Sequence, residues 1–386
     1  AVRRLVSIMQ AQPSIGILQG LVTGTPTEHG FARLFQFGMR LGMRSYTLGS
    51  AWWQGDCGPY WGHNAVIRLA PFIAHCQLPV WTDRKGGSVH IMSHDQVEAV
   101  LMRRAGYQVR IYPVEDDNHE ENPPNLLEFL ARDLRWCAGN MQYWRLLGLP
   151  GLLLTSRVQL LLALLMFIVA PAWLALLTLM GWVAHQSSLP EAFNLRALGT
   201  LFALVFLMMI LPKLASAISV MVKGERARSF GGRARFLAAL LVETLFSLLL
   251  SPIMWVSQTV LLIGLMFGRR IGWRAQNRDI QQVSWVSATR AFALHTAVGL
   301  ALAWLWIDPA VAASWWIIYF VAGLWVSIPL AVLSSRPAFG QLLYQWRFAG
   351  VPEEFGRDHF YSQLKPLSIS LGLNDATARP YFDSSR

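Results

Sequence analysis

Charge is scarce in this chain of 386 residues: 14% of it is charged, against 54% hydrophobic. Soluble globular chains carry about 25% charge, so the whole chain does not read as one soluble unit. The deficit is uneven. The first 150 residues or so hold charges, turns and short apolar runs. After Gly151 come long apolar stretches broken by basic patches. This contrast predicts a soluble domain over 1–150, a transmembrane helical domain over 151–335 and a tail over 336–386.

Cysteine is also scarce. Cys57, Cys76 and Cys137 are odd in number, form no CxxC pair and share no ligand spacing with histidine. That excludes a disulfide framework and a zinc site, and predicts reduced thiols in a cytoplasmic domain. A Gly-rich phosphate loop of the Rossmann or Walker kind is missing. So are an initiating Met and a signal peptide: the chain opens at Ala1 inside what reads as a helix over 1–12. The expectation is that part of the protein precedes it.

The net charge of +11 would suit nucleic acid, but the basic residues cluster between apolar runs. That placement reads as membrane topology, and nucleic acid is excluded as a partner. Apolar runs over 158–183 and 198–222 are each long enough to span a hydrocarbon core. Pro212 and Lys213 fall inside the second, which predicts a kink and a lysine snorkelling to the interface. The segment 223–235 carries five basic residues and one acidic, so it is expected to be cytoplasmic. So is the next basic loop, with Arg269, Arg270, Arg274, Arg278 and Arg290 against Asp279.

Between these loops the run 236–267 is long for one span and short for two, with Pro252 near its middle. It is expected to break into an interfacial helix and a re-entrant piece, or into a helical hairpin. Glu243 within it either meets a partner or cavity, or lies on the polar face of an interfacial helix. Further spans are expected over 291–307 and 315–332. Asp308 and Pro309 would lie in a periplasmic link, and Trp304, Trp306, Trp315 and Trp316 would form an aromatic belt. The soluble domain and the C-terminus then share the cytoplasmic side.

In the soluble half, 15–21 and 107–114 read as strands and 96–105 as a helix stopped by Gly106, an α/β order. Asp95, in Ser93-His94-Asp95, precedes that helix with Glu98 three residues on. It can cap the helix, or serve as a general base in a cleft. After Pro123-Pro124, Asn125 can cap a helix that places Arg132, Arg135 and Trp136 on one face. Two guanidiniums suit a pyrophosphate and an indole suits a sugar ring; a solvated or headgroup-facing surface helix has the same spacing. Trp61, His63 and Asn64, in Tyr60-Trp61-Gly62-His63-Asn64, can line a sugar site or pack within their own loop. The acidic run Glu115-Asp116-Asp117, with Glu120 and Glu121, reads as a solvated loop rather than a metal site.

The order of these clusters, followed by membrane spans, resembles the family-2 inverting glycosyltransferases that include cellulose synthase. YWGHNAVIR (60–68), SHDQVEAVLMRRAG (93–106), PPNLLEFLARDLRWCAGN (123–140) and LSSRPAFG (333–340) are more similar to the glucan biosynthesis glucosyltransferase H family of proteobacteria. Ser93-His94 in place of Thr-Glu, and Arg132 in place of Gln, set the chain apart from cellulose synthase. The resemblance implies an α/β glycosyltransferase A-type domain, present as its C-terminal part, followed by an α-helical transmembrane domain. Asp95 would deprotonate the acceptor. Arg132 and Arg135 would bind the donor diphosphate. Trp136, His63, Asn64 and Trp61 would bind the acceptor.

The implied donor is UDP-glucose and the implied product a growing β-glucan, the backbone of osmoregulated periplasmic glucans. The chain would lie in the lipid bilayer of the bacterial inner membrane, with periplasmic glucan-processing proteins as partners. Mg²⁺ or another divalent cation would be held by an Asp-x-Asp motif expected upstream of Ala1, so these residues alone would be inactive. The alternatives are a cellulose- or hyaluronan-like synthase and a non-catalytic transporter or scaffold.

Overall fold

Apolar side chains and glycines over Ile15–Gly20 make a strand, β1, that is buried along its whole length. The computed structural model describes residues 1–82, 86–116, 118–186, 194–269, 271–272, 282–306 and 317–355. In it, β1 is the middle of a mixed sheet, antiparallel to β3 (Ala65–Ile67) and parallel to β6 (Gln108–Tyr112). β2 (Thr23–Gly24) pairs in parallel with β7 (His119–Glu120), and β4 (Trp81–Thr82) pairs antiparallel with β5 (Ser88–Val89).

Around these strands lie α1 (Val2–Ala11), α2 (Gly30–Trp53), α3 (Leu69–His75), α4 (Asp95–Arg104) and α5 (Leu126–Asn140). α4 has acids in its first turn and arginines in its last, matching the helix dipole. It ends before Gly106, whose φ of +93° suits glycine. α5 starts as its sequence predicts: the Asn125 side chain accepts from the Glu128 amide at 3.0 Å.

The second half is helical: α6 (Leu154–Gln186), α7 (Leu195–Val222), α8 (Gly224–Ser229), α9 (Arg233–Met266) and α10 (Trp285–Trp306). α11 (Ile317–Trp325), α12 (Ser327–Ser334), α13 (Pro337–Gln345) and α14 (Pro352–Phe355) follow. Among the described residues four helices are long and apolar enough to cross a membrane, or five if α11 and α12, bent by 54°, form one span. The Asp308-Pro309 link, Trp315, Trp316, Asp117, Arg270, Arg274, Arg278 and Asp279 lie outside the described residues.

Several expectations are corrected. The run 236–267 does not break: α9 is one helix of 34 residues that passes through Pro252. Proline deletes one backbone donor but α9 is held from outside at that turn. Gly323 of α11 packs there so closely that a Cβ would strike the Leu249 carbonyl and lie 2.8 Å from Pro252 Cγ. Lys213 does not reach for an interface: its Nζ lies 2.6 Å from Glu243 Oε2. Glu243 is buried with this partner, and Ser247 Oγ donates to its other oxygen at 2.6 Å. Trp306 is no belt residue either; it is buried, and its Nε1 donates to the Leu177 carbonyl at 2.7 Å.

The two halves share one apolar core. Phe31, Phe37 and Leu41 of α2 and Phe129 of α5 cluster with Phe236, Phe246 and Ile253 of α9. α9 therefore runs beneath the sheet-bearing half, meeting α2 near Phe246 and α5 near Leu261, which packs with Cys137. The residues after α12 return to the same half. Buried Arg33 of α2 donates to the Phe348 carbonyl at 2.7 Å and pairs with Glu354 at 2.6 Å. Arg40 pairs with Glu353 at 2.7 Å and with Glu115 at 2.6 Å. Glu115 is thus in an ion-pair network, and Asp116 lies 3.6 Å from Arg4, so this acidic stretch is not simply solvated.

Candidate active site

The site is assembled on the carboxyl end of β1. Gln19 there is fully buried, and its side chain folds the loop that follows α2. Its Oε1 accepts from the Trp61 amide at 3.0 Å; its Nε2 donates to the carbonyls of His63 at 3.0 Å and Asn64 at 3.2 Å. The loop needs this clamp because Gly62 and Asn64 have φ of +79° and +51°. Its result is to set the Gly62 backbone against the Asp95 carboxylate, leaving no room for a Cβ. His63 Nε2 stands 3.3 Å from Glu120 Oε2, and the Asn64 amide lies 3.2 Å from His63 Nδ1. The Trp61 ring lies 6.2 Å from that of Tyr46 on α2.

Asp95 does not cap α4. His94 occupies the cap position without a side-chain cap bond, and Asp95 is the first helical residue. Its Oδ1 lies 3.3 Å from His94 Nδ1, which lies 3.0 Å from Glu98 Oε1. Burial raises the Asp95 carboxyl above the usual aspartate range; His94 and His63 oppose that and Glu98 adds to it. The hydrogen bond to Glu98 raises His94, so an imidazolium is favoured between the two acids.

His94, Asp95 and Glu98 are the one group among the described residues whose ligand atoms lie close enough, within 4.8 Å, to hold a metal. The donor set does not fit Mg²⁺, which takes oxygen ligands in a near-ideal octahedron. Here one donor is a nitrogen that already bridges both carboxylates.

α5 carries the second group. Arg132 stacks on the Trp136 indole, its Cζ 4.8 Å from the ring centre. One indole face is thus taken by a guanidinium, and the side chain remains 42% exposed. Arg135 is half-buried on the same helix. The orientation of this face is set from behind. Asp133 points the other way, buried, and accepts from Gln258 Nε2 of α9 at 2.7 Å. Burial pushes its carboxyl up to about 6. The two groups are linked where Ser93, two residues before Asp95, packs on Gly139 of α5 with no space for a Cβ. Tyr143 Oη donates to the Ser93 carbonyl at 2.9 Å, fixing that loop to the end of α5.

The structure therefore brings Asp95, Gly62 and His63 together, and Arg132 to Trp136. The sequence reading missed Gln19, Glu120 and Asp133 as organisers. A glutamine in an apolar strand and an aspartate opposite an arginine face were the available signals. The three cysteines are buried and unpaired with one another.

A family model described as glycosyl transferase family group 2 matches residues 1–217. Glucans biosynthesis glucosyltransferase H of Ralstonia nicotianae is 36% identical over 368 residues, 91% of this chain and 42% of that protein. The protein of the same name from Rhodopseudomonas palustris (strain ATCC BAA-98 / CGA009) is 33% identical over 395 residues, 98% of this chain and 54% of its own length. That of Pseudomonas entomophila is 35% identical over 368 residues, 91% and 43%. The chain spans about half the length of these curated relatives. With a family match that covers the sheet, the Asp95 cleft, α5 and the first long apolar helices, the chain belongs to glycosyl transferase family group 2.

Proposed function

We propose that the whole protein transfers glucose, with inversion, from UDP-glucose to a growing β-glucan at the bacterial inner membrane, making the backbone of periplasmic glucans. The observation that carries this reading is Asp95: a half-buried carboxylate, raised by burial, with Gly62 packed closely against it and 23% of its side chain still exposed. In this role it takes the proton of the acceptor hydroxyl as that oxygen attacks the anomeric carbon from the face opposite the leaving UDP. A carboxyl above the ordinary range is a better base for this than a solvated aspartate.

Arg132 and Arg135 stabilise charge on the departing diphosphate, and Trp136, Trp61, His63 and Asn64 engage the acceptor. A divalent cation would add charge neutralisation at the diphosphate; its ligands are assigned to residues outside this chain, because the His94 cluster does not suit Mg²⁺.

In the membrane, α6, α7, α10 and the bent α11–α12 pair are assigned as crossings, and α9 as a helix lying along the cytoplasmic interface. The support is that α9 meets α2 and α5 at both ends of its length, and that Glu353 and Glu354 pair with α2. Four crossings return the chain to its starting side, in keeping with basic residues at 223–235. Residues 1–150 and 336–386 are then cytoplasmic and 151–335 transmembrane, with periplasmic glucan-processing proteins as partners beyond the bilayer.

The test uses the full-length protein in nanodiscs with Mg²⁺ and labelled UDP-glucose. Label is expected in a polymer, with loss of transfer but retained UDP binding in Asp95→Asn. Polymer formation at normal rate by Asp95→Asn would remove Asp95 from the mechanism; no polymer and no UDP release by folded wild type would remove the glucan assignment.

A further inference from the structure

A cavity of about 690 Å³ lies between the end of α5, α6 and the last turn of α9. Its depth along α6 is informative. Leu160 and Leu164 of α6 pack into the core of the sheet-bearing half, and Phe167 packs with Cys137 of α5. One residue later Ile168 is 43% exposed and lines the cavity. The cavity thus sits where α6 passes from protein packing to bare apolar surface. At the same level α9 ends in Met266 and Phe267, both strongly exposed.

The lining of the cavity is mixed in chemistry. Ile168, Pro171, Leu262 and Leu265 give it apolar surface, and beside them stand Gln142 and the exposed side chains of Trp144, Arg145 and Arg269. The Arg145 guanidinium rests on two indoles, 5.2 Å from Trp81 and 5.4 Å from Trp144. The Arg269 stem folds back onto Gly264. Among the described residues neither guanidinium meets a carboxylate. Gln142 is held by the Met92 amide at 2.8 Å and the His90 carbonyl at 3.0 Å, so the rim beside Arg145 is fixed.

Two cations that meet no carboxylate among the described residues, beside apolar surface, call for an anionic amphiphile. A sugar or nucleotide would leave polar groups unpaired against the apolar lining. A phosphate diester with an acyl chain satisfies both parts of the lining. We propose that this cavity binds one anionic phospholipid of the cytoplasmic leaflet, its phosphate held by Arg145 and Arg269 and an acyl chain lying between α6 and the end of α9. The inference rests on the membrane placement given above.

The experiment uses the full-length protein in nanodiscs of mixed phosphatidylglycerol and phosphatidylcholine, followed by stepwise delipidation and native mass spectrometry. Wild type is expected to retain one phosphatidylglycerol per chain, preferred about ten-fold or more over phosphatidylcholine, as two arginines near an anionic headgroup allow. The Arg145→Gln/Arg269→Gln variant is expected to lose the preference. Ile168→Trp, which fills the slot and keeps both arginines, is expected to lose the retained lipid. Equal retention of the two lipids by wild type, or retention unchanged in both variants, overturns the proposal. Vesicle flotation separates this from the membrane reading: protein that fails to enter vesicles refutes the placement, and protein that enters them without headgroup preference refutes only the lipid site.

Discussion

Asp95 and Glu243 are two carboxylates in matching settings. Each faces a glycine whose missing side chain makes room for it, Gly62 for Asp95 and Gly38 for Glu243. Each has a basic neighbour, His94 at 3.3 Å and Lys213 at 2.6 Å. They differ in what is left over. Glu243 has one oxygen on Lys213 and the other on Ser247, and its side chain is 3% exposed. Asp95 shares its histidine with Glu98 and keeps 23% of its side chain exposed. An acid with both oxygens committed to fixed partners holds helices together. An acid raised by burial but still open on one side is free to accept a proton. In both cases the glycine lets another segment pack on the carboxyl group, and what separates the two acids is the exposure that Asp95 keeps.

The sharpest test of that contrast is to neutralise each acid and read both activity and stability. Asp95→Asn should lower glucosyl transfer by about 10²–10⁴-fold, the share of a general base, with the thermal midpoint little changed. Glu243→Ala should do the reverse. It leaves the half-buried Lys213 ammonium without its partner, a cost of at most about 3–5 kcal/mol, seen as a lower unfolding temperature in detergent. Lys213→Met combined with Glu243→Met should recover most of that loss, since replacing a whole buried pair with apolar side chains is often neutral. If Asp95→Asn unfolds the protein while Glu243→Ala abolishes transfer in folded protein, the assignment of roles is inverted.

Why the sequence left two readings open for each acid follows from the range of the interactions. The cap of α5 is local: Asn125 and the Glu128 amide are three residues apart. The glycine stop of α4 is equally local. The arginines and Trp136 could be placed on one helix face by counting. Asp95 could not be assigned a site in this way, because what packs on it is the Gly62 loop, clamped by Gln19 of β1. Pro252 read as a breaker for the same reason. Locally it is one, and the glycine that accommodates it, Gly323, belongs to a different helix. Lys213 read as a snorkelling side chain because its partner lies on α9. Elements were legible where a turn or two decides them; the site depends on contacts between distant segments.

A smaller effect sharpens the account of Asp95. His94 opposes the rise that burial causes in the Asp95 carboxyl. His94→Gln removes that positive charge, so the carboxyl should titrate at still higher pH. Since transfer needs the carboxylate, the acid limb of the kcat/KM profile should move to higher pH, with the plateau above it largely kept. An unchanged or lowered limb would mean that His94 does not act on Asp95 through its charge.

The smallest expected effect concerns a third acid, which resembles Glu243 in burial and Asp95 in its raised titration. Asp133 accepts from Gln258 at 2.7 Å, and burial pushes its carboxyl up to about 6. An unfolded aspartate titrates near 3.9. Between these values the folded chain keeps a proton that the unfolded chain has lost. Stability therefore falls as pH rises through this window, and the full cost of the buried charge is present above it. Asp133→Asn keeps an acceptor for Gln258 and carries no charge, so its unfolding temperature should exceed that of wild type by a few degrees at pH 7.5 and converge with it near pH 4. A variant less stable than wild type at pH 7.5 would mean that the carboxylate itself, and not the hydrogen bond alone, joins α5 to α9. Asp133 would then belong with Glu243 as a charge kept for packing.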